Sequence, residues 1–134
     1  MSLLVHTFLL SADGSRDVVG EVLDTPDGVS DSAGPERWRT EVWGSQGMRS
    51  LDAQFFPILA DRNRPRGDLI VMPDEIPGLL QECRVVREYL SELIPAGLDA
   101  ADAARLRLGI LDRLANIEIA AGRALGVGGG VLIW

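Results

Sequence analysis

The chain carries one histidine, His6, one cysteine, Cys83, and no lysine; its 13 basic residues are all arginine. Most enzyme chemistry near neutral pH draws on His, Cys or Lys. An arginine stays protonated and serves poorly as base or nucleophile. What remains is carboxylate chemistry, hydroxyl chemistry or binding. His6 shares one face of an apolar run with Leu4, Phe8 and Leu10. A Ser-His-Asp arrangement around it would need Ser45, Ser50 or Ser91, yet none lies in a G-x-S-x-G elbow. The expected role is a core or rim histidine with a hydrogen-bond partner. Cys83 falls on a helical stripe with Leu79, Leu80, Val86 and Leu90, so a buried, inert thiol is expected. One His, one Cys and scattered carboxylates lack metal-ligand spacing, and neither a metal nor a cofactor is expected.

Carboxylates gather at two places: Asp74, Glu75 and Glu82 near one helix start, Asp99 and Asp102 near another. A carboxylate pair can perform acid–base work when burial moves one pKa. At helix N-termini, capping already accounts for them. The glycines from Gly126 to Gly130 superficially resemble a phosphate loop, but they follow a helix and no lysine follows them. They read as a helix stop.

Recognition fits these residues better than catalysis. Trp38 and Trp43 lie five positions apart. On an α-helix, at ~100° per residue, they would point ~140° apart, so that one can be core while the other faces out; the alternative is that both pack under the sheet. Arg37 and Arg39 flank Trp38, and an exposed tryptophan beside arginine is a common interface anchor. Asp27, Asp31 and Glu36, in and just after the polar loop 26–34, would form an acidic rim. Arg62, Arg64 and Arg66 around Pro65 are the only basic cluster, a candidate grip for a carboxylate or phosphate, with Asp61 and Asp68 beside it. The formal net charge is −7. It argues against nucleic acid and anionic membranes and for a protein partner with a basic surface; a homo-oligomer is also compatible.

The elements that must position these residues fit one α+β domain spanning 1–134. Leu3 to Leu10 is apolar on both faces and reads as a central strand. A turn at 11–15 and a return strand at 17–25 follow, with Gly20 at a bulge. Pro35 opens a short helix that ends at Gly44. Ser45 caps a second, with Met48, Leu51, Phe55 and Leu59 on its stripe and Pro57 ending or kinking it. Leu69–Met72 reads as a short buried strand. The next helix carries Ile76, Leu79, Leu80, Cys83, Val86, Leu90 and Leu93. The last, capped by Asp99, carries Ala103, Leu106, Ile110, Leu114, Ile117, Ala121 and Leu125. Val131–Trp134 reads as a last strand that joins the sheet or a partner. The expected architecture is a small, mainly antiparallel sheet of about four strands covered by four helices, with a C-terminal helical hairpin.

One cysteine forms no internal disulfide, the first residues lack a basic leader, and no apolar run reaches membrane length; a cytoplasmic location is expected. The all-arginine basic set fits GC-rich codons and points to a bacterial source. Two functions follow. The first is a non-enzymatic cytoplasmic protein-binding module of the immunity type, neutralising a basic toxin or enzyme. The alternative is a small enzyme or ligand-binding protein with a pocket between sheet and helices, using carboxylates, His6 and an arginine.

Overall fold

Strand β1, Ser2–Leu10, organises the molecule. The computed structural model describes residues 2–11, 19–61 and 68–134. Along one edge of β1 runs β5 (Gly130–Ile133), followed outward by β4 (Leu69–Val71). The other edge is shared by two short strands, β3 (Ser32–Pro35) against Ser2–Leu4 and β2 (Val19–Val22) against Phe8 and Leu10. All these pairings are antiparallel. The expected bulge is present where β1 meets β2, with Gly20 pressed against the Leu9 carbonyl.

Among the described residues the sheet thus has five strands, not about four. The sequence of β3, Ser-Ala-Gly-Pro, carries no strand pattern and reads as loop and helix start. Its backbone pairs with the otherwise open edge of β1, and satisfying that edge outweighs local propensity. The helices number three among the described residues: α1 (Gln46–Ser50), α2 (Ile76–Glu88) and α3 (Ala100–Val127). The short helix expected from Pro35 is reduced to one π-helical turn, Arg39–Trp43, stopping at Gly44 as anticipated. Ser45 does cap α1, its Oγ accepting from the Met48 N–H at 3.2 Å. The helix ends at Ser50 rather than running to Leu59. Asp52 sits in the left-handed region at φ 58°, and the chain resumes only as a 3-10 turn, Phe56–Ala60, with Pro57 near its start.

α2 buries Ile76, Leu79, Cys83 and Val86, and the stripe continues through Leu90 and Leu93 in a 3-10 turn. α3 begins where Asp99 Oδ1 accepts from the Asp102 N–H at 2.8 Å. Its buried stripe is Ile110, Leu114, Ile117, Ala121 and Ala124, whereas Leu125, expected on that stripe, is exposed. At ~100° per residue positions 124 and 125 flank the stripe about equally, and it is 124 that packs inward. Gly128, at φ 67°, stops the helix, and the amides of Gly128 and Gly129 both reach the Ala124 carbonyl.

Side chains alternate along β1. Leu3, Val5 and Thr7 face the helices, where the Thr7 hydroxyl donates to the Ala120 carbonyl of α3 at 2.8 Å. Val131 and Ile133 of β5 and Leu69 and Val71 of β4 share that face, and with α2 and α3 they form the core. α2 packs on α3, where Arg87 pairs with Glu118.

Candidate functional site

The other face of the sheet is built from the residues between those core positions. Ile70, Leu132 and His6 stand side by side across β4, β5 and β1. Val22 lies opposite Phe8, and Trp134 is joined to Leu4 through both of their backbone groups. α3 lies on the opposite face, through Thr7, and no described helix covers this one. Phe8 and Leu132 are buried here outside the main core, the Phe8 ring lying across Gly130. Around them Trp134 and Leu10 are each 44% exposed, Ile70 41% and Val22 36%. Ile70 corrects the expectation of a short buried strand at Leu69–Met72: β4 is at the edge of the described sheet and has one open face.

His6 is the polar centre of this face. Its Nδ1 accepts from the Trp134 Nε1–H at 2.9 Å, and its Nε2 lies 3.2 Å from Asp31 Oδ2. An indole N–H can only donate, so Nδ1 carries the lone pair and Nε2 carries the proton that Asp31 accepts. Both ring nitrogens are therefore engaged in hydrogen bonds within the protein. The histidine orients its neighbours, with the indole edge-on to it at 5.9 Å.

The tryptophans expected at an interface are both interior. Trp38 is 7% exposed and Trp43 is fully buried, so neither faces outward. The reason is local geometry: a π-helical turn bonds i to i+5, and positions five apart then project to one side rather than to two. The two rings meet edge-to-face at 6.1 Å. Trp43 stacks on Phe56 at 4.7 Å and donates its indole N–H to the Ala33 carbonyl at 2.9 Å. Trp38 lies directly on Gly34, where a Cβ would come within 2.3 Å of the ring; φ there is 109°, a second reason for glycine. Of the acids expected beside them, Asp31 reaches the open sheet face, Glu36 pairs with Arg39, and Asp27 is exposed in its loop. Arg62, Arg64 and Arg66, like the turn at 12–15, lie outside the described residues.

Four of the five carboxylates near helix starts have partners within the protein, and Asp74 is exposed. Asp99 caps α3, Asp102 pairs with Arg105 at 3.2 Å, and Glu75 accepts from the Met72 N–H at 3.1 Å. Glu82 is buried, and its carboxylate accepts from the backbone amides of Gln54, Phe55 and Phe56. It holds the entry to the 3-10 turn in place of the missing helix. Sequence reasoning grouped Glu82 with the capping acids but had no means of locating amides 26 to 28 positions away.

Burial pushes the Cys83 thiol far above its usual range, and the neighbouring Glu118 and Glu82 carboxylates add to the rise. The thiolate is the reactive form. Native protein is therefore expected to resist a thiol reagent that labels it promptly in denaturant; equal labelling rates in both conditions would contradict this placement.

Between sheet and α3, beside Thr7, Leu23, Val29, Asn116 and Arg123, the space measures about 20 Å³, room for one water. A pocket there using His6 and an arginine has no room for a substrate, and Arg123 donates to the Asp24 carbonyl. Among the described residues no cluster of His, Cys, Asp or Glu is placed to hold a metal ion, and no helix is long and apolar enough to cross a membrane. No protein-family model matches the chain, and no curated protein or solved structure is detectably similar to it.

Proposed function

We propose that the protein is a binding module that docks a basic partner protein on the helix-free face of its sheet, as an immunity protein occupies the surface of a toxin or enzyme. The observation that carries this reading is the concentration of Trp134, Ile70, Val22 and Leu10, all substantially exposed, on one sheet face. Large apolar side chains gathered on one face mark an interaction surface more than scattered ones do. Trp134 replaces Trp38 and Trp43 as the anchor. Its indole is held by His6 before any encounter, so little freedom is lost when a partner covers it. The partner's chemistry follows from charge: Asp31 stands in this face and the chain carries a net charge of −7, which favours a basic rim around an apolar centre.

The test uses the partner recovered by affinity capture and three variants checked for an intact fold. Trp134→Ala is expected to weaken binding by about 2 kcal/mol or more, as for an interface tryptophan. Ile70→Asp should abolish binding, and Leu108→Ser, on the exposed side of α3, should leave it unchanged. Association should slow as salt rises. Full binding by both sheet-face variants would overturn the reading. Self-association abolished by Trp134→Ala would reassign the face to a second copy of the chain.

A further inference from the structure

Asp31 reaches His6 on the open sheet face, and its neighbours Ser30 and Ser32 lie beside α3, where Asn116 donates to the Ser32 carbonyl. There they line an open cleft of about 440 Å³ with Asp112, Arg113, Ala115 and Asn116. We infer that this cleft is a binding site for a small oxyanion, a carboxylate or monophosphate group held by Arg113, Ser30 and Ser32. It lies away from the proposed docking face and does not depend on that reading.

Three observations carry the inference. First, the Arg113 guanidinium lies 5.6 Å over the Trp38 ring, an arrangement that fixes a cation against an aromatic face. Second, its Nε is buried with no hydrogen-bond acceptor, and no described carboxylate pairs with the guanidinium. The Nε is shielded from solvent, so an anion in the cleft would be met by the terminal guanidinium nitrogens, which make no hydrogen bond among the described residues either. Third, the hydroxyl oxygens of the two serines that line the cleft with it are already used as acceptors: Ser30 Oγ takes the Ser32 N–H at 3.2 Å, and Ser32 Oγ takes the Gly34 N–H at 3.3 Å. Neither hydroxyl proton has an acceptor among the described residues, so both remain to donate. Asn116 ties the wall together by donating to the Ser32 carbonyl at 2.9 Å. A cation and two hydroxyl donors meet in one cleft, and this combination selects an oxyanion. The Asp112 carboxylate, exposed on the same cleft, disfavours a highly charged polyphosphate and limits the ligand to low charge.

The experiment follows the arginine side-chain Nε–H signals of the full chain by NMR. Inorganic phosphate and acetate are titrated separately, against sodium chloride at matched ionic strength. The Arg113 signal should shift saturably with at least one oxyanion and stay still with chloride. Saturation by phosphate alone assigns a phosphate ligand, and saturation by acetate alone a carboxylate. The Ser30→Ala, Ser32→Ala double variant, which keeps the Arg113 signal, should bind the same anion about tenfold more weakly. A signal unmoved by both anions, or moved equally by chloride, would overturn the site. So would unchanged affinity in the double variant. Arg113→Gln serves to assign the signal, and the outcome does not depend on how well that variant folds.

Discussion

Deleting Leu132, Ile133 and Trp134 is expected to abolish cooperative unfolding. β5 lies between β1 and β4, so its loss cuts the sheet rather than trimming it. Leu132 and Ile133 are buried, and each contributes about 2 kcal/mol by burial alone. The same deletion removes the partners of Leu4, Val5, His6, Leu69 and Ile70 in the ladder. The sum, at least about 5 kcal/mol, reaches the lower end of the whole stability of a small domain. Circular dichroism against temperature should show a broad, shallow change in the truncated chain. Trp134→Ala keeps the paired backbone of Leu132 and Ile133 and should retain a sharp transition. A truncated chain melting like the parent would mean that β5 does not bind β4 to β1.

Replacing Glu82 by alanine is expected to cost about 3 to 4 kcal/mol, the range for stripping a buried charge-assisted acceptor from its donors. The carboxylate serves the amides of Gln54, Phe55 and Phe56, and at Phe56 the contact is fully buried at 2.9 Å. Alanine leaves those donors without an acceptor and opens the wall of the groove that Phe55 and Val86 line. Glutamine keeps one acceptor oxygen of the same reach and should lose roughly half as much, since neutral acceptors are weaker. Urea unfolding measures both, with the midpoint falling and the slope unchanged. Equal stability of Glu82→Ala and the parent would mean that solvent replaces the carboxylate at no cost.

The long regular elements were legible in the amino-acid order because each carries its own signal many times over. β1 is apolar on both faces over eight residues and proved central. α2 and α3 repeat an apolar stripe through several turns, with Asp99 capping α3. Val131–Ile133, apolar after a glycine stop, entered the sheet as its composition required. The burial of Cys83 is legible for the same reason, its neighbours at 79 and 86 fixing its side of the helix.

The short elements and the candidate sites were decided by tertiary structure. Ser32–Pro35 became a strand because β1 offered it an unpaired edge, which no local pattern announces. The burial of Trp38 and Trp43 turned on a single π-helical turn, a change of period that two residues five apart cannot reveal. The apolar run of β1 indicates two faces to be covered, but only the packing of α3 onto Thr7 decides which face the helices take. The groups that meet on the open face, His6, Asp31 and Trp134, are separated by 25 and 128 positions. The cleft at Arg113 joins α3 to the loop at Ser30 and to Trp38. Propensity and periodicity act over a few turns of chain, so they specify elements and their apolar faces. A site assembled from distant residues exists only after those elements pack, and its geometry is a property of that packing.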